Sequence, residues 1–316
     1  MTFTDAQKFH FKILRGLLSP YAGQEVKSQD ASRSIVDLLS DCQKLRAQNG
    51  FQRARLRTIH HFAGTGGTLI SRAIAAQPNI ILLSEVDPFS SLDKKAGLFR
   101  PTDIVALGDI GVRAYQRSGA GAVFLAGLEV FRKQLRMAGQ TLILRDHTHS
   151  HFCTENDIGS RPVMKNLLRG KFEVRSVITV RHPLDSFLSI MRQNWIHFEP
   201  KTLEEYARRY HAFLDAYAES PVFRYEDFVA RPSEILAKIA SFYEISIASN
   251  WQEIMQGVVL SGDSGRRGDV IQGRPRQEIP DSLKSQECES PSYSTLCERL
   301  DYDPNFAAAA NAPLEC

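Results

Sequence analysis

The chain has 316 residues, 43% apolar, 24% charged and 9% aromatic, a globular composition that excludes collagen-like, disordered and membrane-spanning classes. A net charge of +3 is too small to point to nucleic acid, and five scattered cysteines with no C-x-x-C exclude a disulfide framework and a zinc ribbon. No run of 18 apolar residues occurs and the first 18 residues mix charge with apolar positions, so a cytoplasmic chain without a membrane span is expected.

Residues 1–50 place apolar positions three and four apart over Ala6 to Leu18 and Ser32 to Gln48, which predicts helices covering the core. LRTIHHF at 56–62 predicts a buried strand running into Ala63-Gly64-Thr65-Gly66-Gly67-Thr68, then a helix over TLISRAIAAQ and a second strand, IILLS, at 80–84. Strand, glycine-rich turn, helix and strand form a βαβ unit, which implies a parallel sheet. Thr102 to Met137 reads as helix broken by SGAGA, and TLILR at 141–145 as a third strand ending in DHTHSHF. VRSVITV at 174–180 is a fourth strand that meets Arg181-His182-Pro183, with a helix after it. A long amphipathic helix follows at 202–218, then a fifth strand at 221–227 and a helix from Pro232 to Tyr243. From Ser261 the chain is rich in Gly, Arg and Pro and is expected to be ordered by what it touches. The predicted architecture is a single α/β domain with a central parallel sheet of about five strands flanked by helices.

Four turns with anion-binding chemistry stand at or after predicted strand ends, the edge where open α/β sheets bind ligands. In the turn 63–68, small residues let backbone N–H groups approach a phosphate, and the next helix adds its positive end. No lysine precedes Thr68, so the nucleotide-kinase pattern G-x-x-x-x-G-K-[ST] is absent. In the second turn Ser189 follows Arg181 by eight residues, two helical turns on, so the two can hold one phosphate between them. The third is Arg224-Tyr225-Glu226-Asp227, and the fourth is the flexible run Ser261 to Asp269, with Ser264, Gly265 and Arg266 at its centre.

The order of these features resembles the sulfotransferase superfamily, over roughly residues 56–280. The resemblance implies a P-loop-type fold and 3′-phosphoadenosine-5′-phosphosulfate as sulfuryl donor, with no metal. It assigns the 5′-phosphosulfate to Gly64, Thr65, Gly66, Gly67 and Thr68, and the 3′-phosphate to Arg181 and Ser189. Tyr225 and the late loop, Ser264, Gly265 and Arg266, would support the donor. Gly64 occupies the place of the lysine that many members carry, and Arg72 is the first candidate to supply its charge, with His60 and His61 as alternatives. The base that takes the acceptor proton is His147, at the place of the family's histidine, or Glu85, with His149 third.

Residues 1–50 are then a helical extension, 51–280 the catalytic domain and 281–316 a C-terminal tail. The expected partner is an acceptor carrying a hydroxyl or amine, a carbohydrate or small molecule, in a pocket formed by 86–140 and 195–200. Two other readings remain. Alternating His147, His149 and His151 would project to one side of an extended segment and could ligate the metal of a hydrolase. A non-catalytic nucleotide-binding relic of the fold is the second. Trp195, Phe198 and Trp251 are read as core, and Asp185 as a first-turn acid favoured by the helix dipole.

Overall fold

Short apolar runs without polar alternation predict strands covered on both faces. In the computed structural model, which describes residues 53–90, 92, 105, 117–261, 271 and 278–304, five such strands form one parallel sheet. They are β1 (Ala54–His61), β2 (Ile80–Val86), β3 (Thr141–Asp146), β4 (Phe172–Val180) and β5 (Val222–Arg224), in the order β2-β3-β1-β4-β5. The sheet lies in the compact unit 53–316, distinct from residues 1–52. The helical extension expected at 1–50 lies outside the described residues.

The helices are α1 (Gly67–Ala75), α2 (Ala120–Met137), α3 (Thr148–Phe152), α4 (Met164–Arg169), α5 (Pro183–Arg192), α6 (Leu203–Ala216), α7 (Tyr225–Ala230), α8 (Pro232–Tyr243), α9 (Trp251–Gln256), α10 (Asp281–Glu289) and α11 (Pro291–Leu300). Helices α1, α8 and α9 close over Ile59, Ile143 and Val177 on one face of the sheet. The other face is covered by α2 and α4 near Leu56 and Leu144, and by α5, α6, α10 and α11 around Phe62, Ile178 and Val180. Helix α6 shows why the covering works. Thr202 caps it by accepting from the Glu205 N–H, and Leu203, Tyr206, Ala207, Tyr210, Phe213 and Leu214 recur at helical spacing and are buried. Each of its large apolar side chains contributes about 1.5–3 kcal/mol.

Three elements differ from expectation. The fifth strand stops at Arg224, because Tyr225 opens α7, whose first turn carries Glu226 and Asp227 against the helix dipole. The break expected over SGAGA at 118–122 ends earlier: Arg117–Gly119 is a 3-10 turn, and Ala120 already opens α2. The segment 281–300 holds two helices whose Leu283, Tyr293, Leu296, Cys297 and Leu300 enter the core beside α6. No helix among the described residues is long and apolar enough to cross a membrane.

Register brings the chemistry to one rim. Ile59 of β1 stands beside Arg145 of β3 and Val177 of β4, His61 stands beside Thr179, and Val180 stands beside Arg224 of β5. The carboxyl ends of four neighbouring strands therefore present the glycine turn, Arg145 to His147, Arg181 and Tyr225 together.

Candidate active site

The turn 63–68 is packed against three elements, and its glycines answer to them. Gly64 and Gly66 have φ of 83° and 75°, the left-handed region that side chains other than glycine avoid. A Cβ on Gly64 would strike the Ser186 carbonyl of α5, one on Gly66 the Tyr225 ring, and one on Gly67 the His61 ring. Tyr206 donates to the Ala63 carbonyl at 2.9 Å. The Thr65 hydroxyl, fully buried, donates back to the Phe62 carbonyl at 2.7 Å and so stiffens the turn. The N–H groups of Gly67, Thr68 and Leu69 open α1; Leu69 bonds to the Gly66 carbonyl at 3.0 Å, while a first helical turn has no acceptors for the others.

The positive charge beside this turn comes from Arg145, at the end of β3. Its guanidinium donates to the Thr68 hydroxyl at 2.8 Å and to the Ser84 hydroxyl at 2.8 Å, and lies 3.1 Å from His61 Nε2. It also donates at 2.7 Å to the carbonyl of Ser261, the root of the late loop. Arg72, the expected source of that charge, turns to the other side of α1 and donates to the Met255 carbonyl of α9 at 2.9 Å. His60 is directed below the rim, where Asp146 Oδ2 is shared between His60 Nδ1 and the Tyr217 hydroxyl, each at 2.7 Å. Burial and the adjacent Arg145 hold His61 well below the ordinary histidine value.

Glu85 joins Arg145 to His147. One carboxylate oxygen lies 2.7 Å from Arg145 and the other 3.4 Å from His147 Nε2, with all three side chains under a tenth exposed. The two base candidates are thus neighbours within one unit. Glu85 has a φ of 56° and sits where the β2–β3 register shifts. Such an outlier costs on the order of 1–3 kcal/mol and concentrates at functional sites, and a bulge re-aims a side chain at a sheet end. Burial raises the Glu85 carboxyl above the usual range; Arg145 opposes the shift and Asp146 adds to it.

At the next strand ends, Arg181 stacks on Tyr225, its guanidinium carbon 5.1 Å from the ring centroid, and stands 3.8 Å from Asp185 in the first turn of α5. Arg181 Nε is buried with no hydrogen-bond partner among the described residues. Ser189 is half-buried one turn beyond Asp185, next to Ile190, which touches Gly64. The Tyr225 ring therefore lies between Gly66 and Arg181 and joins the glycine turn to the arginine–serine corner.

A solved structure titled "Sulfotransferase Domain from the Curacin Biosynthetic Pathway" superposes on 80% of this chain and 99% of its own, with a TM-score of 0.51 at 14% identity. The chain has the sulfotransferase fold. Two further sulfotransferase structures align: a domain of the Synechococcus PCC 7002 olefin synthase (TM-score 0.48, 17% identity, 80% of this chain and 96% of that one) and mouse SULT7A1 complexed with PAP (0.38, 14%, 78% and 88%). No family model and no curated protein matches the sequence.

On this sulfotransferase fold the histidine run does not form a metal-ligand set. His147 stands before α3, and His149 and His151 within it are two residues apart, about 200° around the helix axis. His147 faces Glu85, His149 lies 5.3 Å from the His197 ring, and His151 Nε2 reaches the Ile158 carbonyl at 3.1 Å. Among the described residues no group of three potential ligands converges. Burial lowers His149 to about 4. Beyond His149, Thr154, Glu155, Asn156, His197, Glu199 and Lys201 line a cavity of about 400 Å³ with Leu92, Ile196 and Phe198. Trp195 packs beside the core and against His149, while Phe198 and Trp251 are core residues. Asp87 is bound by Arg161 through two contacts of 2.8 Å. Ser264, Gly265 and Arg266 lie outside the described residues.

Sequence reading missed Arg145. A single arginine at a strand end has no local pattern; its partners Thr68, Ser84, Glu85 and Ser261 come from three other stretches of chain.

Proposed function

We propose that this protein transfers a sulfuryl group from 3′-phosphoadenosine-5′-phosphosulfate to a hydroxyl or amine of a polar acceptor. The observation that carries the reading is the Tyr225 ring held between Gly66 and Arg181, which ties a backbone-lined phosphate cradle to an arginine whose Nε lacks a partner among the described residues. A donor phosphorylated at both ends of its ribose needs two such anion sites on one rim.

In this reading the N–H groups at the start of α1 hold the 5′-phosphosulfate, and Arg181 with Ser189 holds the 3′-phosphate. The acceptor oxygen or nitrogen forms the new bond to sulfur as the bond from sulfur to the 5′-phosphate oxygen breaks. Glu85 and His147 take the acceptor proton as a pair. Arg145 stands beside Thr68, where negative charge grows on the leaving phosphate, and fills the role for which the turn carries no lysine. The cavity beyond His149 takes the acceptor. Its carboxylates, Glu155 and Glu199, and the ammonium of Lys201 suit a polyhydroxylated or amino-bearing small molecule.

The test is transfer of labelled sulfate from the donor to a panel of sugars, amines and phenols, paired with titration of adenosine 3′,5′-bisphosphate. Binding together with transfer supports the reading. Binding without transfer to any acceptor favours a nucleotide-binding relic, and no binding at millimolar bisphosphate overturns both. Arg181→Ala is expected to weaken the bisphosphate by roughly 1.5–3 kcal/mol, the value of hydrogen bonds to a charged group.

A further inference from the structure

Leu300, the last residue of α11, and residues 301–304 after it lie directly behind the arginine–serine corner. The Tyr302 hydroxyl donates to Glu226 Oε2 at 2.7 Å, and Glu226 Oε1 accepts the His182 backbone N–H at 3.1 Å. His182 is fully buried, its Nε2 reaches the Asp303 carbonyl at 3.0 Å, and its ring packs 5.2 Å from that of Tyr302. Arg224 donates to the Leu300 carbonyl and, at 2.9 Å, to Asp301, and covers the Tyr302 ring at 4.9 Å. The residues gripped by this segment are the chain neighbours of the two that build the corner: His182 follows Arg181, and Arg224 and Glu226 flank Tyr225.

We propose that residues 300–304 form a strap that sets the 3′-phosphate subsite, with Tyr302 as its positioning residue. The inference rests on the donor assignment above. Tyr302 fixes the Glu226 carboxylate, Glu226 fixes the backbone at His182, and that backbone sets where Arg181 and the first turn of α5 stand. Burial and the adjacent Glu226 keep the Tyr302 phenol protonated, so it remains a donor throughout the working range. Because the strap touches the arginine–serine side and not the glycine turn, its loss acts on one end of the nucleotide.

The experiment compares adenosine 3′,5′-bisphosphate with adenosine 5′-monophosphate by calorimetry on the full chain. For Tyr302→Phe the bisphosphate dissociation constant rises about 5- to 10-fold, while that of the monophosphate stays within about twofold. The rise is less than the roughly tenfold or more that losing a hydrogen bond made directly to a charged ligand group would cost, because Tyr302 acts on the subsite through Glu226 and the His182 backbone. Ser292→Ala is the matched control: it removes a hydroxyl bond to a carboxylate, Glu204 at 2.5 Å, from α11, the helix that leads into the strap, but away from the corner, and it leaves both constants unchanged. Equal weakening of both nucleotides by Tyr302→Phe, no weakening of either, or the same selective loss in Ser292→Ala overturns the proposal. A wild-type protein that does not prefer the bisphosphate refutes instead the donor assignment on which the strap rests.

Discussion

Replacing Arg145 by methionine tests the charge assignment most sharply, because its effects on folding and on chemistry can be separated. Arg145 and Glu85 are 2% and 5% exposed and 2.7 Å apart. Removing one partner of such a buried pair costs about 3–5 kcal/mol, which in a domain of this size lowers Tm by roughly 6–20 °C. Adding Glu85→Gln removes the stranded carboxylate, so the double variant recovers most of that loss. Activity follows a different course. If Arg145 stabilises charge on the leaving phosphate, its removal costs about 10²–10³ in kcat, and the double variant remains that far below Glu85→Gln alone. Thermal unfolding gives the first quantity and single-turnover transfer of labelled sulfate the second. A double variant within tenfold of Glu85→Gln would show that Arg145 only neutralises Glu85.

Gly66→Ala forces a side chain into φ 75° and against the Tyr225 ring, on which Arg181 stacks. Displacing that ring disturbs the Arg181 contact, and the bisphosphate dissociation constant is expected to rise at least about tenfold, the value of roughly one hydrogen bond to a charged group, which calorimetry checks. Burial holds His149 at about 4, below its unfolded value, so the stability it contributes is present above about pH 6.5 and lost as pH falls toward 4. Urea midpoints of His149→Gln should accordingly change less over that interval than those of the parent, and identical slopes would contradict the burial argument. Glu85 has the opposite sign: its carboxyl is raised in the folded protein, so its contribution is present below the ordinary glutamate value and is lost as pH rises through the raised one. The unfolding free energy of Glu85→Gln relative to the parent therefore improves as pH increases, and a difference independent of pH contradicts the assignment.

The sheet was legible because its strands are covered on both faces and read as apolar runs ending in glycine, arginine or acid. Pro232 and Tyr243 bound α8 as expected, with proline in the first turn where its missing N–H costs little. The glycine turn, Arg181 and Tyr225 were visible as local signals at strand ends. What escaped notice depended on contacts distant in sequence or on a misread period. Arg145 acquires meaning only from Thr68, Glu85 and Ser261. The histidine run was expected to be extended, with period two, yet α3 sets His149 and His151 about 200° apart around its axis and leaves His147 before its first turn. Helix α10 shows little apolar stripe, since Leu283 is its one buried residue, and a helix of that kind is recognised only from what it packs against. Glu226 and Tyr302 lie 76 residues apart, which no spacing rule connects.

The most direct measurement is a crystal structure of the complex with adenosine 3′,5′-bisphosphate. The account predicts the 5′-phosphate on the backbone N–H groups at the start of α1 beside Arg145, and the 3′-phosphate between Arg181 and Ser189, with Glu85 and His147 facing the open side of the 5′-phosphate. A nucleotide bound away from this rim, or a 3′-phosphate that Arg181 does not touch, would contradict it.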